Sequence, residues 1–435
     1  MTKNNNYDAL HTREHAPSWY AATANRLTAY PALDGNKTAD VCIVGGGFTG
    51  VATALELVER GYSVIVLESH KLGWGATGRN GGQLLRGIGH DVEQFRKVIG
   101  QSGVDAINQM GFEAVQIVCD RIAAHNIDCD LTMGSFDVAN RPKHLRELKE
   151  EYDGLQRSGY EEQVFLVDKG GVQDFVGTDV YLGGMVDMGS GHLHPLNLCL
   201  GEAEVAEKLG VQFYEHSQVI EIKQGAEPIV YTTGGSVTAG RVIVAGNAYA
   251  GDLVPKLAGK VLPAGSYIIA TEKLTEAQRN SILPSNFAVC DRNVALDYYR
   301  LSSDGRLLFG GRCNYSAQHP GSIKDSMYPK MMKVFPQLEG VGIDYEWGGM
   351  IGIGANRMPQ IGQLNGNVFY AQAYSGHGVN VTHMAARILA EAIHGDTVRL
   401  DIFNNIPHMT FPGGKHLRSP LLALGMLWYR LKERV

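Results

Sequence analysis

The residues best suited to do chemistry stand at two glycine turns and on one strand. Gly45-Gly46-Gly47-Phe48-Thr49-Gly50 reads G-x-G-x-x-G. Gly45 permits a tight turn, Gly47 leaves room for a pyrophosphate against the backbone, and Gly50 lets a following helix pack on the preceding strand. The helix start at Phe48 and Thr49 then offers N–H groups and partial positive charge to phosphate. Glu68, with Ser69 beside it, stands 23 residues after Gly45, placed to accept from the ribose hydroxyls of an adenosine; an acid there disfavours a 2′-phosphate. The second turn, Gly376-His377-Gly378-Val379-Asn380, carries a histidine, whose ordinary pKa of about 6.5 suits proton handling. On a strand-like run, Tyr298 and Arg300 share one side while Tyr299 points to the other; a Tyr/Arg pair is a means of holding a carboxylate.

The elements that must position these residues are legible around them. Asp40–Val44 is a short, nearly continuous apolar run, as in a strand buried on both faces. Val51, Leu55 and Val58 recur at helical spacing before Gly61, and Ser63–Leu67 is the next strand. Strand, glycines, helix, strand and acid together form a dinucleotide-binding unit. The motif does not choose the cofactor; the residues C-terminal to it favour FAD over NAD. Gly73–Gln83 lays Gly75, Ala76, Thr77, Arg79, Asn80, Gly81, Gly82 and Gln83 in a small-residue segment suited to a long extended ligand. Arg241–Ala245 is a late strand closing on Gly246 and returning to the nucleotide sheet. Val368–Ala371 is another, leading to the His377 turn and a helix through Ile393. Aimed at the flavin N1–C2=O edge, that helix would stabilise the charge of a reduced flavin.

These segments resemble the D-amino-acid-oxidase-like (glycine/sarcosine oxidase) flavoenzyme superfamily, and within it bacterial gamma-glutamylpolyamine oxidases. Supporting stretches are Gly191–Leu198, Val244–Tyr249, Leu296–Leu301, Arg357–Gln360 and Phe411–Gly414; the likeness runs from about Trp19 onward. It implies an α/β architecture: a Rossmann-like FAD-binding domain from residues 38–87, 186–262 and 347–410, interleaved with an α+β antiparallel-sheet substrate domain from 88–185 and 263–346. Residues 411–435 would form a tail helix. Ser302–Gly305 is a hairpin signal within the second domain. Val219 and Arg357 join the expected cofactor-binding set, and Trp347 flanks the same turn as Arg357. The implied reaction is oxidation of a C–N bond of a small amine, a gamma-glutamylated polyamine in that branch, with loss of hydride and hydrolysis of the imine. The amine must be neutral, so a base or an apolar pocket must favour that form. His377, Tyr298 and Arg300 are the catalytic candidates. O2 is the expected electron acceptor, with Arg300, Arg312 or His377 as a cation beside it; a secondary-amine substrate or a partner acceptor remains an alternative. The histidine or cysteine that tethers FAD in some relatives does not occur at the matching places, which predicts non-covalent FAD.

Composition bounds the rest. The chain has 435 residues, 54 of them glycine, against a usual share of about 7%, as expected where backbone approaches a ligand closely. A net charge of −6 argues against nucleic-acid binding. The six cysteines are scattered without a CxxC pair, fitting buried thiols in a reducing compartment. His192 and His194 form an HxH pair with no acid at ligand spacing, so no metal is expected. Met1–His15 is polar, with no secretory signal and hence a cytoplasmic expectation. No run is long enough to span a membrane; Leu421–Tyr429 is apolar but too short. Oligomeric state is not legible.

Overall fold

The computed structural model describes residues 13–293, 296–314, 321–364 and 366–412. The apolar stretch at Leu421–Tyr429, and nearly all of the expected tail helix, lie outside them.

Two sheets organise the chain. The first has eight strands and runs Gln360–Gln363, Val368–Gln372, Gly235–Val244, Gly35–Val44, Val64–Leu67, Gln212–Tyr214, with the hairpin Val219–Lys223/Ile229–Thr232 attached to Gly235–Val244. Its centre is parallel: Gly35–Val44 pairs with Val64–Leu67 on one side and Gly235–Val244 on the other. Cys42, Ile43, Val44 and the whole of Val64–Leu67 are buried, because the helix Phe48–Val58 and other elements cover both faces. The strand order therefore switches direction at the C-terminal end of Gly35–Val44, the place where such sheets open a ligand crevice. The returning late strand lies as its apolar run predicts, with Val242, Ile243 and Val244 beside Cys42, Ile43 and Val44.

The second sheet has nine strands in the order Ile343–Ile353, Leu262–Thr271, Leu307–Asn314, Tyr298–Leu301, Ala288–Asp291, Thr132–Ala139, Gly183–His192, Gln83–Leu84, with Val164–Asp168 on Gly183–His192. It is antiparallel except where Ala288–Asp291 runs parallel to Thr132–Ala139. The hairpin expected at Ser302–Gly305 joins Tyr298–Leu301 to Leu307–Asn314. One face carries a core of Tyr299, Phe309 and Phe335, against which the helix Ile323–Val334 packs.

The expected boundaries at 186 and 347 fall inside strands of this second sheet, Gly183–His192 and Ile343–Ile353. The 30-residue helix Arg96–His125 is a larger departure. Expected with the substrate domain, it shares the first sheet's core through Ile107, Met110, Ala114 and Val118. Ionic contacts pin it there. Arg121 reaches Glu56 at 2.6 Å and Glu202 at 3.0 Å, and His383 Nε2 lies 3.0 Å from the same Glu202 oxygen. Four helices thus meet at one buried charge cluster, whose members compensate one another.

Candidate active site

A cavity of about 510 Å3 runs from the C-terminal ends of the first sheet's central strands to the open face of the second sheet. The first glycine turn builds its nucleotide end. Gly45 has φ +114°, a conformation that disfavours side chains, and an added Cβ would come within 2.9 Å of the Ala245 carbonyl. Gly50 is outside the cavity; a Cβ there would sit 1.9 Å from the Gly45 carbonyl, so its smallness serves the contact between turn and helix. Glu68 is clamped across this turn, accepting from the Gly46 N–H at 2.7 Å and the His70 N–H at 2.9 Å. Burial raises its carboxyl above the usual range, against the pull of those backbone donors.

Gly73–Gln83 lies along the cavity. Thr77 accepts from the Phe48 N–H at 2.9 Å, tying this segment to the helix start. Asn80 shapes the loop: its amide donates to the Ala76 and Thr77 carbonyls and its oxygen accepts from the Gly82 N–H. Arg79 donates to the Trp74 and Gly348 carbonyls and lies over the Trp74 ring at 4.3 Å. Ser69, Gly75, Ala76, Gly81, Gln83, Val219, Ala245, Gly246 and Arg357 also line the cavity. Gly82 does not, being backed by Leu193 and Arg300.

The second turn closes the opposite end. Gly376, His377, Gly378, Val379 and Asn380 all face the cavity, and His377 caps the helix Gly378–His394. His90 meets the His377 ring edge-on at 5.0 Å. Among the described residues the His377 Nδ1 has no hydrogen-bond partner. Burial, then the neighbouring His90, lower its pKa to about 4, so the ring is neutral at pH 7.

From the second sheet, Tyr298 faces the cavity and its hydroxyl lies 3.2 Å from Ser266 Oγ. Tyr299 points to the other side and bonds the Tyr181 hydroxyl at 2.9 Å, as strand alternation requires. Arg300 shares the Tyr298 face but is not brought to the cavity, which corrects the expectation of a carboxylate clamp. The Gly81–Gly82 loop covers it. It is 2% exposed, and its guanidinium donates to the carbonyls of Gly81 at 2.8 Å, Leu193 at 2.8 Å and Leu301 at 3.1 Å, and to the Tyr20 hydroxyl. Its donors are committed to holding the FAD-side loop on the second sheet. Trp347 does not line the cavity either; it is buried behind it and donates to the Arg79 carbonyl at 3.1 Å. The Arg312 side chain lies outside the described residues.

Each histidine of the HxH pair makes a contact with the protein. His192 Nε2 lies 2.9 Å from the Asn286 carbonyl, while His194 Nδ1 accepts from the Asn197 N–H and so caps the helix Pro195–Lys208. Among the described residues no group of three His, Cys, Asp or Glu side chains could hold a metal ion. Sequence reasoning missed Tyr249, whose hydroxyl accepts from the Met350 N–H, and the cavity-lining Cys290 and His90. Cys290 pairs directly with Tyr298, so a correct strand pairing would have placed it on the same face.

The fit to FAD rests on this geometry. The cavity joins a glycine turn with an acid 23 residues on, a long small-residue wall, and a helix start at Gly378. A Cβ added at Gly376 or Gly378 would meet no described residue within 4 Å beyond its own chain neighbours and helix. The orphaned Nδ1 of His377 beside that open space awaits a partner from a ligand.

Comparison with known proteins agrees. The chain is 44% identical over 423 residues to the gamma-glutamylputrescine oxidoreductase of Escherichia coli K12, covering 97% of this chain and 99% of that one. It is 39% identical to a probable oxidoreductase, OrdL, of Haemophilus influenzae, covering 97% and 98%. Among solved structures, glycine oxidase from Geobacillus kaustophilus superposes with a TM-score of 0.71 at 20% identity, covering 86% of this chain and all of that one. L-proline dehydrogenase from P. horikoshii does so at 0.70, also at 20% identity, covering 85% and 96%. A family model described as FAD dependent oxidoreductase (DAO) matches residues 40–392. The chain belongs to the DAO family of FAD-dependent oxidoreductases.

Proposed function

We propose that the protein oxidises the terminal C–N bond of gamma-glutamylputrescine, or of a closely related gamma-glutamylated polyamine, to an imine. Water then hydrolyses the imine to an aldehyde and ammonia, and O2 takes up the electrons as H2O2. The observation that carries the substrate assignment is near full-length similarity to a gamma-glutamylputrescine oxidoreductase, with both chains covered almost entirely.

When bound, FAD supplies the two-electron acceptor. Gly45, Gly47 and the Phe48 helix start would hold its pyrophosphate, Glu68 its adenosine ribose, and the Gly376–Asn380 turn its ring. The chain's own contribution is to deliver the amine uncharged. An ammonium entering a site walled by Leu85, Leu296 and Tyr298 loses hydration, which lowers its pKa toward the neutral form that can release hydride. His377, neutral and with Nδ1 free of protein partners, accepts an N–H of that amine and fixes its direction. Tyr298 and Ser266, hydroxyl against hydroxyl, bound the substrate side. Closure of this wall around the amine keeps water from the reacting carbon until the imine has formed.

The test is a peroxide screen on purified yellow protein with gamma-glutamylputrescine, free putrescine and sarcosine. The expected order places the gamma-glutamyl amine first. Equal or greater turnover of sarcosine would overturn the substrate assignment. Flavin bleaching without peroxide would overturn the oxygen step alone.

A further inference from the structure

Beyond the amine end, the second sheet carries a charged row that the proposed chemistry does not use. Asp137 on Thr132–Ala139 pairs directly with Cys290, and Cys290 with Tyr298. Directly paired residues present their side chains on one face of a sheet, and Cys290 and Tyr298 both line the cavity. Asp137 therefore stands one strand beyond Cys290 on that face, next to the cavity's lining rather than within it. Among the described residues its carboxylate accepts no hydrogen bond and makes no ion pair. Beside it, Arg292 places two guanidinium nitrogens on one Glu151 oxygen, at 2.7 and 2.8 Å. The other Glu151 oxygen takes Arg86, at 2.8 Å, which also contacts Asp187 at 2.9 Å. Glu151 thus fixes Arg292 and Arg86 while Asp137 is left over. This cluster lies close enough to the amine end for Glu151 and Arg86 to influence the His377 ring.

Resting on the gamma-glutamyl amine reading, we propose that Asp137 and Arg292 form the subsite for the substrate's α-amino-acid head. Asp137 accepts from the α-ammonium and Arg292 donates to the α-carboxylate. A diamine alone would call only for an acid; an acid with a buttressed guanidinium beside it matches a zwitterion. Burial, and then the nearby Glu151, raise the Asp137 carboxyl to about 6, against the pull of Arg292 and Arg86. Such a group gains from a cation brought to it.

The test compares the holoenzyme and its variants on two amines, gamma-glutamylputrescine and N-butanoylputrescine, which keeps the amide and diamine but lacks both head charges. The readout is anaerobic flavin reduction, independent of oxygen. Asp137→Asn should raise KM for the gamma-glutamyl amine about tenfold or more, the weight of one charge-assisted hydrogen bond, and leave the butanoyl amine unchanged. Asp137→Glu should recover part of the loss, and Arg292→Gln should act on the same substrate only. FAD content and Tm of each variant are measured alongside. Wild-type turnover of the gamma-glutamyl amine with Asp137→Asn unaffected overturns the subsite alone, as does equal loss on both amines. Wild-type failure on the gamma-glutamyl amine overturns the substrate reading and the subsite with it.

Discussion

Gly378 and Gly50 separate two uses of glycine that one sequence pattern cannot distinguish. Gly378 is the first residue of the helix Gly378–His394, and a Cβ added there meets no described residue within 4 Å beyond its own chain neighbours and helix. Gly378→Ala should therefore leave the apoprotein at least as stable, with a gain of about 0.4–1 kcal/mol from the reduced freedom of the unfolded chain. The space it takes is the space assigned to the flavin ring. A methyl forced into a filled site costs about 1–3 kcal/mol, which weakens FAD binding by roughly 5- to 150-fold. Gly50→Ala should do the reverse: its Cβ would lie 1.9 Å from the Gly45 carbonyl, so helix and strand must part and the apoprotein loses stability outright. The assay strips FAD, follows thermal unfolding of the apoproteins, and titrates FAD by fluorescence quenching. A Gly378→Ala protein with unchanged FAD affinity would refute the placement of the ring at this turn. A Gly378→Ala apoprotein that melts well below wild type would refute the claim that the space there is open.

Other expectations are as direct. Arg300→Lys cannot reach the Gly81, Leu193 and Leu301 carbonyls together, so unfolding should become easier by about 3 kcal/mol while KM for the amine stays put; a large rise in KM at unchanged Tm would restore Arg300 as a substrate ligand. His192 and His194 are each lowered to about 3 by burial and then by the nearby Arg300. A folded-state pKa below the unfolded value means stability is full above about 6.5 and drains as pH falls toward 3, by about 3 kcal/mol per pH unit for the pair over the middle of that window. Urea midpoints that hold constant from pH 6.5 to 4.5 would contradict this. Acid precipitation should leave all yellow colour in the supernatant; pigment in the pellet would mean a covalent flavin.

The nucleotide end was legible because its signals are local. Gly45, Gly47, Gly50 and Glu68 arise from a turn, a helix start and a strand contained in about thirty residues. The substrate end depends on which strands lie side by side. Alternation correctly divided Tyr299 from Tyr298 and Arg300, but nothing within that run tells that Gly81 and Gly82 cover Arg300 and leave Tyr298 open. Asp137 escaped notice for the same reason, since its neighbours Cys290 and Tyr298 arrive more than 150 residues later. The resemblance puts residues 88–185, and with them the helix Arg96–His125, in the substrate domain, whereas its packing follows from Ile107, Met110 and Arg121, each of which finds its match on the far side of the boundary.

The order of the first sheet has a consequence for biosynthesis. Gly35–Val44 finds one parallel neighbour, Val64–Leu67, early, but its other side is filled only once Gly235–Val244 exists, and that strand in turn waits for Val368–Gln372. The Gly376–Asn380 turn leaves the ribosome's exit tunnel only after all of these strands. A nascent chain that carries the Gly45 turn but not yet the Gly376–Asn380 turn therefore exposes an apolar crevice open on one side, the kind of transient surface that invites misassociation.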